Sequence, residues 1–392
     1  MRTFFFIFIT FCFFVSNSFA QSINLSEESE ISVLTIGPGN SLNDAFGHSA
    51  FRVRDKRKQI DLVYNYGIYD FNTPNFYTKF AQGKLNYLIG RNYYEDFYNG
   101  YVYQNRTIEE QILNLTDNEK QQVFDYLENN YKPENRAYLY DFFYDNCATR
   151  IKGVLIKNCN SGITFNEPEN FQAETFRTLI QNQLEANTWG SVGIDIALGS
   201  VIDRPATQEE HMFLPEFIHA FFKEATLSNG KKLVKKNQLI FEKRDLKVKS
   251  NILISPLFVF SIFGLLIIAI TFLDYKNNKR NRILDIVIFA FTGVIGVFIL
   301  LLWFATDHSA TAQNYNLLWA FALNIFMLKQ VYKSTVKTWF VKYLKFLVIM
   351  LSLLTFHWLV GIQVFAIALL PLFIALAIRY VFLIWYYKNR IV

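Results

Sequence analysis

Two short stretches decide the fold of this chain: Gly-His-Ser-Ala-Phe-Arg-Val at 47–53 and Tyr-Asp-Asn-Cys-Ala-Thr-Arg-Ile at 144–151. In the first, a glycine turn leads into alternating apolar and polar residues, which predicts that His48 begins a strand. In the second, a capping Asp-Asn pair precedes apolar residues at helical spacing, which places Cys147 in the first turn of a helix. A histidine on a strand and a cysteine at a helix start are the parts of a thiol nucleophile and its general base.

Cys147 has the features of a nucleophile rather than of a structural cysteine. The dipole and the free N–H groups of a helix N-terminus favour a thiolate and can receive the oxyanion of a tetrahedral intermediate. The competing interpretation is a disulfide with Cys159, the only other cysteine of the expected mature chain. Twelve helical residues would separate the two by about 18 Å, whereas a disulfide needs Cα atoms within roughly 7 Å. We therefore expect a free, catalytic Cys147 and a buried, unreactive Cys159, with Asn146 as a further candidate for the catalytic site.

His48 is the candidate general base, because a neutral imidazole near its ordinary pKa can accept a thiol proton at neutral pH. A third polar group should orient the ring. The predicted strand at 60–66 pairs back on the His48 strand and offers Asp61, Tyr64 and Asn65. We favour Asn65, although the register of the two strands leaves the choice open.

The other polar residues of this half indicate no further chemistry. His211 and His219 lie among aromatic residues on a predicted helix and are expected to be ordinary core or surface residues. The sequence has no CxxC, no HExxH and no other metal-ligand spacing, so we expect neither a metal nor a cofactor. The formal net charge of +6 is largely accounted for by loops of the apolar half, which leaves no signal for nucleic-acid binding.

The order of the elements predicts an α+β domain over residues 21–250. Apolar or alternating runs bounded by turns predict strands, and capped periodic segments predict helices. The predicted strands are 31–36, 49–54, 60–66, 84–91 and 101–108. The predicted helices are 73–80, a helix from 119, the cysteine helix 147–158, 170–186 and 209–224.

The N-terminus has the features of a signal peptide. Arg2 supplies the positive charge, Phe4 to Val15 the apolar core, and Ser18-Phe19-Ala20 a small-residue cleavage site. We therefore expect a signal peptide at 1–20 and export of the mature chain from the cytoplasm.

Composition changes sharply near residue 250, and residues 251–392 are largely apolar. Lys and Arg gather after the first and third of five candidate spans and at the C-terminus, and are absent from 305–314 and 360–363. This pattern predicts a multi-pass inner-membrane protein with a cytoplasmic C-terminus and an extracytoplasmic domain. The candidate spans, of which the third and fourth are short, are 252–273, 283–304, 315–331, 343–360 and 363–386.

Residues 223–249 hold nine Lys or Arg residues just outside the first candidate span. One interpretation is the solvated face of a hairpin that turns at 228–230. The other is attraction to anionic lipid headgroups.

At these motifs the chain resembles known proteins. A histidine followed about 100 residues later by a cysteine resembles the permuted papain-like fold of lecithin:retinol acyltransferase-like and NlpC/P60-like proteins. More closely, four stretches resemble the Lnb-type lipoprotein N-acyltransferases of Bacteroidetes, and the resemblance covers nearly all of 30–225 and extends to the five-span tail. The stretches are Gly-Asn-Ser-Leu-Asn-Asp-Ala-Phe-Gly-His-Ser (39–49), Asn-Tyr-Gly-Ile-Tyr-Asp-Phe (65–71), Asp-Asn-Cys-Ala-Thr-Arg (145–150) and Asp-Arg-Pro-Ala-Thr-Gln-Glu-Glu-His-Met-Phe-Leu-Pro (203–215).

The resemblance implies a permuted papain-like α+β periplasmic domain followed by an all-α domain of five transmembrane helices. It implies that Cys147 attacks a phospholipid ester to give a thioester, and that the acyl group passes to the α-amino group of a diacylglyceryl-cysteine lipoprotein. His48 would take the thiol proton and later deprotonate the amine. Because one fold hosts many reactions, a membrane-tethered cysteine peptidase or amidase acting on cell-wall peptides and a non-catalytic envelope protein stay open as alternatives.

Polar residues also gather where the apolar half meets its outer face. Asp307, His308 and Asn316 stand between the second and third candidate spans, and His357 stands near the outer end of the fourth. Ionisable groups at that depth are functional candidates, here for binding a lipid headgroup or the lipoprotein amine. Capping of helix ends with interfacial anchoring is the alternative interpretation.

Overall fold

The computed structural model describes residues 23–160, 162–245, 252–388 and 390. The predicted signal peptide and the predicted domain boundary at residue 250 lie outside these residues. Within them, an N-terminal domain of sheet and helices is followed by a block of apolar helices.

The N-terminal domain is built on one antiparallel sheet. Its seven strands are β1 Glu30–Ile36, β2 His48–Asp55, β3 Ile60–Ile68, β4 Asn86–Tyr93, β5 Ile108–Leu113, β6 Ala137–Leu139 and β9 Val234–Phe241, and a separate pair is formed by β7 Ile163–Thr164 and β8 Thr226–Leu227. The sheet order is β6-β4-β3-β2-β1-β5-β9, so β1 and β2 are central and almost wholly buried. The prediction that a strand starts at the glycine turn is confirmed, because β2 begins at His48.

Helices cover this sheet. They are α1 Phe76–Ala81, α2 Tyr94–Tyr103, α3 Asp117–Tyr131, α4 Cys147–Asn158, α5 Phe176–Gln183, α6 Trp189–Ala197, α7 Gln208–His211 and α8 Pro215–Glu224. The apolar spacing that predicts the cysteine helix forms its buried face, with Ala148, Ile151 and Leu155 fully inaccessible in the core. The predicted α+β character of the domain is thereby confirmed.

The structure differs from the sequence prediction at 101–108, where an alternating pattern predicts a strand. Residues 94–103 form α2, and the strand begins only at Ile108. Glu95 and Asp96 stand in the first turn of α2, where the helix dipole favours negative charge, and Phe97 is buried. The aromatic residues at the end of this helix therefore give a false strand signal.

Two predicted helices are shorter than expected. The segment 209–224 is divided into α7 and α8, because Pro215 cannot continue a helix but starts one well at its first position. The segment 170–186 is helical only over α5, whose N-terminus Thr175 caps by accepting a hydrogen bond from the N–H of Thr178 at 3.1 Å.

The second half consists of apolar helices. They are α9 Pro256–Lys276, α10 Arg282–Phe304, α11 Asn324–Val331, α12 Thr338–Val360 and α13 Leu370–Tyr387. Within the described ranges, four helices are long and apolar enough to cross a membrane, namely α9, α10, α12 and the helix that ends with α13.

The third predicted span, 315–331, is not one continuous helix. A short 3₁₀ turn at Tyr315–Leu318 precedes α11, which has only eight residues. Irregular backbone at membrane depth is tolerated where protein surrounds it, and here Asn324 is fully buried and donates from Nδ2 to the hydroxyl of Thr292 at 2.8 Å. A Cβ at Gly296 of α10 would lie 2.1 Å from the carbonyl oxygen of Ala320, so this glycine permits the close approach.

The interrupted segment nevertheless traverses the helical block. Its start contacts the N-terminal domain, since Asn314 donates to the carbonyl of Ile196 at 2.8 Å. Just after its end, the hydroxyl of Ser334 accepts a hydrogen bond from Arg282, at the opposite end of α10, at 2.7 Å. The last residue of α13, Tyr387, is hydrogen-bonded to Arg280 at that same face. The C-terminal end of α13 therefore lies on the face opposite to the N-terminal domain.

Candidate active site

Cys147 is the first residue of α4, and Asn146 shapes the turn that presents it. Oδ1 of Asn146 accepts hydrogen bonds from the N–H groups of Ala148 at 2.9 Å and Thr149 at 3.0 Å. Its Nδ2 donates to the carbonyls of Phe142 at 2.7 Å and Phe213 at 2.8 Å. Both ends of this buried amide are thus used to cap the helix and to fix it to the rest of the domain. Asn146, a predicted catalytic candidate, lies where it positions the thiol.

His48 lies at the start of β2, directly after a tight turn at Gly47. Gly47 has φ +75°, and a Cβ there would lie 2.8 Å from the carbonyl oxygen of Ile36. Only glycine adopts this conformation at low cost. The turn brings the half-buried imidazole of His48 onto Cys147, and the two side chains are hydrogen-bonded.

Asn65 is the residue that orients the imidazole. The strands pair with Ala50 opposite Asn65, so Asn65 is the diagonal neighbour of His48 on the same face of the sheet. Nε2 of His48 donates to Oδ1 of Asn65, which leaves Nδ1 as the ring nitrogen for the thiol. The other two candidates have different partners: Asp61 binds Arg52 at 2.7 Å, and Tyr64 is hydrogen-bonded to Glu128.

The electrostatics of the pair favour an ionised thiol. Burial disfavours the Cys147 thiolate, but the charge and hydrogen bond of His48, with the N–H groups of Ser49 and Ala148, outweigh it and lower the pKa of Cys147. Burial also disfavours the His48 imidazolium, but the thiolate charge and the hydrogen bonds to Cys147 and Asn65 raise the pKa of His48 above its ordinary value. Each ion therefore stabilises the other, as in an activated thiolate–imidazolium pair.

Two further side chains, Tyr101 and Arg106, lie on the side of the imidazole that faces α2. The ring of Tyr101 stacks on His48 with centroids 6.3 Å apart, and the Arg106 guanidinium lies 5.0 Å from the centroid of the Tyr101 ring. Arg106 is buried and donates from Nε to the carbonyl of Gly37 at 2.9 Å. Its positive charge opposes protonation of His48. The sequence motifs did not indicate either residue, because both lie within the segment 101–108, which the alternating pattern predicts as a strand.

Cys159 stands apart from this site. It is the C-terminal cap of α4, twelve residues beyond Cys147, and both cysteines are free. Burial, and then the charge of Glu119, raise the pKa of the Cys159 thiol to about 12. The sequence prediction of two unpaired cysteines, of which Cys159 is the buried one, is confirmed.

The polar residues predicted at the outer membrane face bind the N-terminal domain. The N–H of Asp307 donates to the carbonyl of Gln82 at 2.8 Å, and Nε2 of His308 donates to the carbonyl of Ala81 at 3.2 Å. Asn316 is buried and donates to the carbonyl of Asp195 at 2.9 Å.

His357 contacts only its own half among the contacts seen in the described residues: Nδ1 donates to the carbonyl of Leu353 at 2.7 Å, and its ring centroid lies 4.6 Å from that of Tyr315. Neither this histidine nor the three polar residues of the 305–316 region is seen to contact Cys147 in the described part of the chain. Binding of substrate by these four residues stays a prediction.

A buried ion network, unforeseen from the sequence, also joins the two halves. Within the N-terminal domain, Arg177 binds Asp195 at 3.0 Å and Asp203 at 2.8 Å, and the side chains of all three are buried. Asp203 in turn accepts a hydrogen bond at 3.0 Å from the N–H of Val364, in the loop that follows α12. Nearer the thiol, Ser309 donates to the carboxylate of Asp141 at 2.8 Å, six residues before Cys147.

These features define a class: a membrane protein whose α+β domain holds a hydrogen-bonded Cys–His–Asn set against a block of apolar helices. A family model described as the Lnb N-terminal periplasmic domain matches residues 17–182, and one described as the Lnb transmembrane domain matches residues 247–390. Together they cover most of the chain, which therefore belongs to the Lnb family, as the sequence motifs predict. No curated protein and no solved structure matches the chain. Family membership places the N-terminal domain in the periplasm and indicates a membrane enzyme that modifies lipoproteins.

Proposed function

We propose that this protein moves a fatty acyl chain from a phospholipid, through a thioester on Cys147, to the N-terminal amine of diacylglyceryl-cysteine lipoproteins. The observation that carries the proposal is the Cys147–His48–Asn65 set, held in a domain that is docked directly on a membrane block. Membrane phospholipid and membrane-anchored lipoprotein are the acyl donor and acceptor that such a location makes accessible.

In the first half-reaction, the Cys147 thiolate attacks the carbonyl carbon of the phospholipid ester. A carbon–sulfur bond forms, the ester carbon–oxygen bond breaks, and the leaving oxygen takes the proton of the His48 imidazolium. Asn146 occupies the N–H of Thr149 and shares that of Ala148 with the thiolate, so the N–H of Cys147 itself is the first-turn donor that this cap leaves for the oxyanion. The products are a thioester, a lysophospholipid and a neutral His48.

In the second half-reaction, the neutral α-amine of the lipoprotein attacks the thioester. The carbon–nitrogen bond forms, the carbon–sulfur bond breaks, and His48 accepts the amine proton. Cys147 leaves as a thiolate, so the step regenerates the thiolate–imidazolium pair with which the cycle began.

We further propose that the protein lies in the inner membrane with a cytoplasmic C-terminus. The support is the position of Arg280, Arg282 and the end of α13 on the face opposite to the periplasmic domain. Basic residues at one face of a helical block are typical of its cytoplasmic side.

The test compares lipoprotein N-termini by mass spectrometry in cells that depend on this enzyme for N-acylation. Cys147→Ala and His48→Ala should abolish the N-acyl group, and the matched control Cys159→Ala should retain it. Retention of N-acylation by both active-site variants would contradict the proposed acyl transfer through Cys147. Hydrolysis of cell-wall peptides by the wild type without lipid would favour the peptidase alternative instead.

A further inference from the structure

A cluster of aromatic side chains on and beside α1 is unusually exposed. Phe71 is 66% exposed, Tyr77 79% and Phe80 53%. They surround Phe76, which is buried and lies 4.9 Å from Phe71, centroid to centroid. A contiguous exposed apolar patch of this kind marks an interaction surface rather than a random surface.

The position of this patch is fixed by the contacts between the two halves. Ala81 and Gln82, at the end of α1, accept hydrogen bonds from His308 and Asp307, which follow the end of α10 at Phe304 by three to four residues. Phe80 is adjacent to this contact. Tyr77 precedes it by one helical turn, about 6 Å.

The polar layer on each side of a bilayer core is about 5–8 Å thick. One helical turn is no longer than this layer, so the exposed rings beside the contact with the end of α10 lie within reach of the headgroups. Trp303 and Phe304 stack at the end of α10 with centroids 4.7 Å apart, as expected for aromatic residues at a membrane interface. Lys84, exposed beside the contact, adds a charge suited to lipid phosphates.

The same patch leads to the thiol through a ladder of aromatic rings. Successive centroids are 6.3 Å apart from Phe80 to Phe76, 5.7 Å from Phe76 to Tyr69, 5.4 Å from Tyr69 to Tyr87, and 4.2 Å from Tyr87 to Tyr140. Tyr140 and Cys147 both pack against the hydrophobic core that includes Tyr138 and Ala148, so the last ring lies near the nucleophile. Burial, and then the charge of Cys147, raise the pKa of Tyr140 well above its ordinary value.

We propose that the exposed rings of Phe71, Tyr77 and Phe80 enter the outer leaflet, and that the ladder guides a phospholipid acyl chain from the bilayer to Cys147. The inference rests on the proposed acyl transfer for its second part. An acyl chain that left the leaflet unaided would expose its methylene groups to water. The partly exposed rings of Tyr69, Tyr87 and Tyr140 would remove part of that cost. The bilayer is the partner because the patch is held at its surface by the protein's own spans.

The first test places a photo-crosslinking amino acid at position 77 or 80 of the full chain, in vesicles of phosphatidylethanolamine and phosphatidylglycerol. Both positions should give adducts with lipid acyl chains. Tyr93, 69% exposed, is the control position, because it lies at the far end of β4, seven residues from Asn86, or about 23 Å. No lipid adduct at 77 and 80, or equal adducts at 93, would overturn the insertion of the rings.

The second test uses the triple variant Phe71→Ser, Tyr77→Ser, Phe80→Ser. Its rate of Cys147 acylation by bilayer phospholipid should fall at least about tenfold relative to its rate with a water-soluble short-chain ester. Tyr93→Ser should leave this ratio unchanged, and an unchanged ratio in the triple variant would overturn the guiding role. If wild-type Cys147 takes no acyl group from either donor, the proposed function fails, while the cross-linking result still decides whether the rings enter lipid.

Discussion

Replacement of Asn65 by Ala tests whether the His48 imidazolium is held by the hydrogen bond that the structure shows. A hydrogen bond to a charged group contributes about 1.5–3 kcal/mol, equivalent to about ten- to a hundredfold in an equilibrium or a rate. The hydrogen bond from His48 to Asn65 raises the pKa of His48, so its loss lowers that pKa. The His48 charge lowers the pKa of Cys147, so a less stable imidazolium raises it.

The assay is the pH dependence of Cys147 alkylation by iodoacetamide in the detergent-solubilised full chain. In Asn65→Ala we expect the rate at neutral pH to fall at least about tenfold and the pH of half-maximal reactivity to rise. Asn65→Asp, which keeps an oxygen acceptor, should preserve reactivity at neutral pH. Tyr64→Phe is the matched control, because Tyr64 stands on the same strand but faces away from His48.

The outcome that would refute this reasoning is specific. A merely structural role for Asn65 would lower protein yield or thermal stability in Asn65→Ala without moving the pH profile of the folded fraction. An unchanged profile in Asn65→Ala, or an equal displacement in Tyr64→Phe, would show that the Asn65 amide does not hold the imidazolium.

Two other substitutions probe the surroundings. Because the Arg106 charge lowers the pKa of His48, Arg106→Gln should raise that pKa. The rise of thioester aminolysis with pH should then occur at higher pH, and a shift to lower pH would contradict this. A Cβ at Gly199 would lie 1.8 Å from the carbonyl oxygen of Ala312, so Gly199→Ala should lower both the unfolding temperature in detergent and the acylation rate. Gly193→Ala, with nothing within 4 Å of its Cβ, should leave acylation intact and stabilise helix α6 by about 0.5–1 kcal/mol; an equal loss in both glycine variants would refute the docking argument.

The parts of the site that could be predicted from sequence are those set by neighbours along the chain. Gly47 and the cap at Asn146 act within a few residues, so the strand start at His48 and the helix start at Cys147 follow from local conformational preferences. Asn65 depends on the register between two strands. The sequence offers Asn65 as one of three candidates for orienting His48. Only the pairing of Ala50 with Asn65 shows which of the three faces the imidazole.

The parts that could not be predicted depend on contacts between distant segments. Tyr101 stacks on His48 through the packing of α2 on the sheet, across more than fifty residues of chain, and Arg106 reaches the site through its contact with the Tyr101 ring. The segment 315–331 has the hydropathy of a span, but its helix starts only at Asn324, whose buried amide donates to Thr292 of α10. Hydropathy measures the cost of removing side chains from water and is insensitive to such pairings.

The outer-face polar residues fix the position of the N-terminal domain on the membrane half. A buried polar group is costly unless it is hydrogen-bonded, so the amide of Asn316 at the domain interface requires its carbonyl partner at Asp195, and that match fixes one relative position of the two halves. Asp203 fixes the relative position of the two halves at a second point. It binds Arg177 within the periplasmic domain and accepts a hydrogen bond from the N–H of Val364 in a membrane loop. A membrane half that served only as an anchor would need none of these bonds. Their presence on two separate loops fixes how the periplasmic domain sits on the helical block, which the proposed transfer of an acyl group from the bilayer to Cys147 would require.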